Sequence, residues 1–110
     1  YIKGFQSVKR YDEFSLQAAV ATTGPVAVAF DASNIDFQLY KGGVYSNVLC
    51  NKLIVNHAAL VTGYGNDVTG AYWMVKNSWG TSWGMDGYVM MARFRSNMCG
   101  IATCASFPTL

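Results

Sequence analysis

Residues Ala71-Tyr72-Trp73-Met74-Val75-Lys76-Asn77-Ser78-Trp79-Gly80-Thr81-Ser82-Trp83-Gly84 read as an aromatic strand that runs directly into a polar turn. Two further apolar runs, Ala58 to Tyr64 and Gly87 to Ala92, flank it at a spacing typical of antiparallel sheet, with Gly, Asn and Asp turns between them. Upstream, Val26-Ala27-Val28-Ala29-Phe30 is short, almost continuously apolar and bounded by Gly24-Pro25 and by Asp31 to Asn34, so it predicts a buried strand. Before it, Phe14, Leu16, Ala18, Ala19 and Val20 fall close to helical spacing. The run Tyr11 to Ala21 therefore predicts one amphipathic helix, with Asp12 and Glu13 where the macrodipole favours anions. Ile35 to Tyr40 adds one helical turn, Gly42-Gly43 breaks the chain, Val44-Tyr45 is extended, and Ser46 to Lys52 is a loop carrying Cys50. One main helix with four or five strands is an α+β domain dominated by its sheet.

The composition fits one buried-core domain: 110 residues, 52% hydrophobic and 13% charged. Eight basic and six acidic residues give a net charge of +2 and form no runs, so neither nucleic acid nor an anionic membrane is expected as a partner. The longest apolar stretch, Pro25 to Phe30, is far short of the roughly 20 residues of a bilayer span. No basic-then-apolar leader opens the chain, so a soluble, already trimmed segment is expected. Among the three cysteines, Cys50 and Cys99 could pair and leave Cys104 over; none stands in a Cys-x-x-Cys spacing. With His57 as the sole histidine, no four-ligand zinc set is near in sequence, and the expectation is no metal and no cofactor. A disulfide in an oxidising compartment is the better account of the cysteines. The sparse charge also suggests that some apolar surface is covered by something else.

His57 lies where an irregular loop hands over to a strand, and Asn77 lies where the aromatic strand ends. In a Cys-His-Asn arrangement the imidazole deprotonates a thiol, while the asparagine carbonyl accepts the far ring proton and selects one tautomer and one ring orientation. Three runs in order carry a family resemblance: Asn56-His57-Ala58 leading to Val61-Thr62-Gly63-Tyr64-Gly65, then Lys76-Asn77-Ser78-Trp79-Gly80, then Cys99-Gly100-Ile101-Ala102 through Leu110. Together they resemble the C-terminal half of a papain-like cysteine peptidase, with the cathepsin L group and the sponge silicateins most similar.

That resemblance implies the β-rich right-hand domain of a two-domain papain-like fold, spanning 1–110. It implies His57 as general base, Asn77 as its orienting partner, and Trp79 as a shield over their bond that also flanks the leaving-group side of the cleft. It also implies a Cys50–Cys99 disulfide with Cys104 left as a free thiol. Cys104 would form the base of the pocket for the substrate's second acyl-side residue, with Ala29 and Val55 lining it. A cysteine buried there acts as a small hydrophobe, so Leu, Phe or Val is expected in that pocket and Arg is not. Asn56 stands where cathepsin L has an acid. The family's Cys-Gly-Ser-Cys-Trp nucleophile signature and its oxyanion-hole glutamine are absent. The expected partner is therefore an N-terminal half of the same protein, carrying the nucleophile, together with a peptide or protein substrate. Isolated, such a half should expose an apolar face and aggregate.

Three functions follow. The first is a cathepsin L-like endopeptidase, lysosomal or extracellular. The second is a silicatein-like protein with serine as nucleophile, condensing silica in a filament. The third is a non-catalytic scaffold or storage protein. Ser46 is the single hydroxyl in the loop from Ser46 to Asn56, which tilts the choice toward the peptidase.

Overall fold

The computed structural model describes residues 4–47, 49–53, 55–68 and 70–109. The elements in chain order are β1 (Gly4–Ser7), α1 (Glu13–Thr23), β2 (Val26–Phe30), α2 (Ile35–Gln38), β3 (Val44–Tyr45), β4 (His57–Asp67), β5 (Gly70–Lys76), β6 (Tyr88–Ala92), a 3-10 turn (Met98–Gly100) and β7 (Cys104–Thr109). They form one seven-stranded sheet in the order β1-β7-β2-β4-β5-β6-β3, with α1 as the main helix.

The helix begins two residues later than its periodicity suggests, because Asp12 is its cap: the Asp12 carboxylate accepts the Phe14 N–H at 3.0 Å and the Ser15 N–H at 3.2 Å. Gly24, with φ of 96°, ends it ahead of Pro25. Its buried stripe is Glu13, Leu16, Ala19 and Val20. Glu13 does more than complement the macrodipole. Its carboxylate is buried and accepts from Trp73 Nε1 at 2.8 Å and from the Phe94 and Asn97 N–H groups at 3.0 Å each, tying α1 to β5 and to the turn after β6.

β2 is less uniformly buried than its continuous apolar run suggests, because a strand's side chains alternate: Val26, Val28 and Phe30 are buried, while Ala27 and Ala29 face outward. The core on the inner side is built from Leu16, Phe30, Phe37, Val61, Trp73, Val75, Val89 and Met91, all with no exposed area. Seven strands exceed the four or five expected, because β1 and β7 pair with each other from opposite ends of the chain, Gly4 opposite Thr109. The sheet also departs from a fully antiparallel one: β3 pairs in parallel with β6, Val44 opposite Met90, and the long stretch between them supplies the crossover that a parallel pair requires. β4 outruns its expected end at Tyr64 and reaches Asp67. A bulge at Thr62 resets its register, so that Val61 faces Val75 but Gly63 faces Met74. Leu110, the last residue of the C-terminal run, lies outside the described residues.

Candidate active site

Two strand ends bring the histidine and the asparagine together. His57 opens β4 and pairs with Phe30, the last residue of β2; Asn77 directly follows β5, and its N–H donates to the Gly87 carbonyl at 2.9 Å. The adjacent antiparallel strands β4 and β5 run so that the start of one lies beside the end of the other, and His57 Nε2 is 2.5 Å from Asn77 Oδ1. The same oxygen accepts the Ser78 N–H at 2.8 Å. A backbone N–H can only donate, so the Asn77 atom facing it must be the carbonyl oxygen. The histidine nitrogen that meets this oxygen must then carry a proton, and Nδ1 is left as the ring's basic atom. Asn77 itself is buried, with its Nδ2 meeting no hydrogen-bond partner among the described residues.

Aromatic rings hold this pair in place. The Phe30 ring meets the imidazole edge-on at 5.6 Å between centroids, and the Trp79 indole leans over it at 5.0 Å. Trp79 is 39% exposed, so it screens the pair and still presents a ring edge to solvent. Behind it stand Phe37 at 5.6 Å and Trp83 at 5.1 Å, and Trp83 Nε1 donates to the Gln38 carbonyl at 3.0 Å, which ties the 77–84 turn to the end of α2. Gly84, with φ of 60°, is required where that turn closes: a Cβ there would come within 2.7 Å of the Tyr88 carbonyl oxygen.

The strand register also settles where the remaining candidates lie. Ala29 of β2 has Ala58 as its neighbour on one side and Cys104 on the other, so Ala58, Ala29 and Cys104 form a row of small side chains across three strands, beginning one residue after His57. Ala58 was absent from the candidates, and no local pattern marks it; only the register puts it beside Ala29. Cys104 is a free thiol, and it is exposed rather than buried. With Ser7, Arg10 and Ser106 it lines a hollow of about 400 Å³. Val55 is half-buried and turned toward the neighbouring turn: a Cβ on Gly100 would sit 3.0 Å from Val55 Cγ1. Cys50 and Cys99 are joined in a disulfide, with Cα atoms 4.8 Å apart.

Beside this pair is a carboxylate that the sequence reading took only as a strand boundary. Asp31 is buried, and burial alone would raise its pKa. Hydrogen bonds from the Ser33 hydroxyl, the Asn51 and Ser33 N–H groups and the Asn56 amide outweigh that effect and hold it at about 2. A carboxyl group depressed in the folded state contributes stability above its unfolded pKa and loses it as pH falls toward the folded value. Asp31 should therefore contribute about 2 kcal/mol at pH 5 and almost nothing near pH 2. Denaturant midpoints measured across that range should show the gap between wild type and Asp31→Asn closing as pH drops; a gap that stays constant with pH refutes this account.

The papain family cysteine protease profile matches residues 1–109. Cathepsin L of Sarcophaga peregrina is 53% identical over 108 residues, covering 97% of this chain and 32% of its own length. Silicatein of Petrosia ficiformis is 50% identical over 107 residues, again covering 97% of this chain and 32% of its own. The solved structure of the digestive procathepsin L2 proteinase from the Tenebrio molitor larval midgut superposes with a TM-score of 0.94 at 51% identity, over 99% of this chain and 34% of that one. The chain thus spans about a third of the length of the curated relatives it matches. A right-hand α+β domain of this topology, with a profile match along nearly all of its length, makes the chain a member of the papain family of cysteine proteases.

Proposed function

We propose that this chain is the C-terminal, His-Asn-bearing half of a cathepsin L-like cysteine endopeptidase, and that the remaining part of the protein brings the nucleophile. The observation that carries this reading is the His57–Asn77 bond, with the Ser78 N–H fixing the asparagine and leaving Nδ1 free to take a proton. In that role Nδ1 draws the proton from the thiol, and the resulting imidazolium stabilises the thiolate and later protonates the leaving amine. Asn77 keeps the ring in one tautomer, and Trp79 limits water around their bond.

The outward row Ala58, Ala29 and Cys104 would floor the pocket for the substrate's second acyl-side residue, with Val55 at its margin. Small neutral side chains favour Leu, Phe or Val there. Arg is disfavoured because no carboxylate is in the row to pair with it. The companion half would cover this same face, which accounts for its exposed small residues. A disulfide fits synthesis through the secretory pathway, with the mature protein lysosomal or extracellular.

The 50% identity to a silicatein favours a second reading, in which the companion half bears serine and the full protein condenses silica. Labelling the full-length protein with iodoacetamide or an epoxide, followed by peptide mapping and substrate profiling, separates the two. The peptidase reading expects one fast-reacting cysteine in the companion segment and cleavage after pairs with Leu, Phe or Val at the second position. A serine at the nucleophile position with no reactive thiol beside it overturns that reading in favour of silica chemistry, and strong Arg preference overturns the pocket assignment.

A further inference from the structure

His57 is the first residue of its strand, paired with the last residue of β2. Strand ends open more readily than strand interiors, yet a general base must be held to within a fraction of an ångström. The residues just beyond this last pair form a clip. The Asn56 N–H donates to the Phe30 carbonyl at 3.1 Å, Asn56 Oδ1 accepts the Ala32 N–H at 3.0 Å, and Asn56 Nδ2 donates to Asp31 Oδ1 at 2.9 Å. Both ends of the amide are thereby determined, since an ionised carboxylate only accepts and a backbone N–H only donates.

Asp31 is itself anchored from several directions. Its N–H donates to the Cys99 carbonyl at 2.8 Å, and its carboxylate accepts from the Ser33 hydroxyl at 2.5 Å, the Ser33 N–H at 3.1 Å and the Asn51 N–H at 2.9 Å. It joins the end of β2, the loop around Cys50 and the 3-10 turn at one point, next to the residue that precedes the histidine. These donors are all neutral, so they hold the carboxylate through directional hydrogen bonds.

We propose that Asp31 is a positioning residue for His57, acting through Asn56 to fix the backbone from which the imidazole reaches Asn77. The proposal rests on the peptidase reading for its rate effects but not for its structural content. Asn56 is exposed, so it can be changed without opening the core, whereas Asp31 is buried at 4% exposure.

The test uses the full-length protein with three substitutions and one control. Asn56→Ala and Asp31→Ala should each lower kcat about tenfold to a hundredfold with KM nearly unchanged, and the double variant should be no worse than either one. Asp31→Asn keeps an oxygen toward Asn56 and Ser33 and should recover most of kcat. Glu13→Gln, which weakens the anchor between the start of α1 and Trp73, should lower Tm without touching kcat. In parallel, the imidazole Nε2–H proton resonance of His57 should broaden in Asn56→Ala and stay sharp in Glu13→Gln. If Asp31→Ala does not fold, Asn56→Ala decides the matter. The proposal is overturned if Asn56→Ala keeps wild-type kcat and a sharp resonance, or if Glu13→Gln loses kcat in proportion to its Tm. A wild-type protein that cleaves no peptide defeats the peptidase reading instead, and the resonance measurement then judges the positioning role by itself.

Discussion

Replacing His57 by alanine in the full-length protein is expected to lower kcat/KM for peptide cleavage on the order of 10⁴-fold, with the loss in kcat. The structure explains why the effect should be concentrated in this one side chain. Asn77 Oδ1 meets Nε2 at 2.5 Å and is held there by the Ser78 N–H, so in the proposed role the asparagine would act only through the imidazole. Asn77→Ala removes the tautomer selection and leaves a base that can still rotate into use, so its loss should be smaller. Once His57 is gone, Asn77 has nothing to orient, and His57→Ala/Asn77→Ala should be no slower than His57→Ala alone. Kinetics on the four proteins give the comparison directly. Additive losses would mean that Asn77 touches the reaction independently of the ring, and a loss below tenfold for His57→Ala would remove the histidine from the chemistry.

The parts of this arrangement that could be read in the sequence are those carried by local pattern. The apolar run from Val26 to Phe30, bounded by turn residues, and the aromatic run ending at Asn77 each announce a strand within a window of a few residues. His57 and Asn77 stand out at the strand ends through the resemblance of their flanking runs to papain-like peptidases, and the structure brings the two side chains together. The illegible parts depend on partners far away along the chain. β1 has an exposed, polar pattern typical of an edge, and its pairing with β7 joins residues about a hundred positions apart, which no window contains. Glu13 looks like a solvated first-turn acid until Trp73, Phe94 and Asn97 are folded onto it. Asp31 looks like a turn residue for the same reason. Ala58 carries no chemical signal at all; only the register beside Ala29 gives it a place near the site. Cys104 shows the opposite failure, since a residue type that is usually buried lies exposed on the outer face of β7.

Replacing both Cys50 and Cys99 by serine is expected to cost about 4 kcal/mol, the largest stability loss of any change considered, because the bridge spans 49 residues and removes that loop's closure entropy from the unfolded chain. The bridge closes a loop that contains β4, β5 and β6, so the constrained segment includes both His57 and Asn77. Its local setting adds to the entropic effect. The Cys99 carbonyl accepts the Asp31 N–H, and the Asn51 N–H next to Cys50 donates to the Asp31 carboxylate, so loosening either cysteine also loosens the clip behind His57. Denaturant unfolding of the double variant should therefore show a lower midpoint, and peptide mapping of the unreduced wild type should find Cys104 outside the bridge. A loss below about 1 kcal/mol would mean that the unfolded chain is already restricted over this span. Recovery of Cys104 in a disulfide with either partner would overturn the pairing itself, and with it the link between the bridge and Asp31.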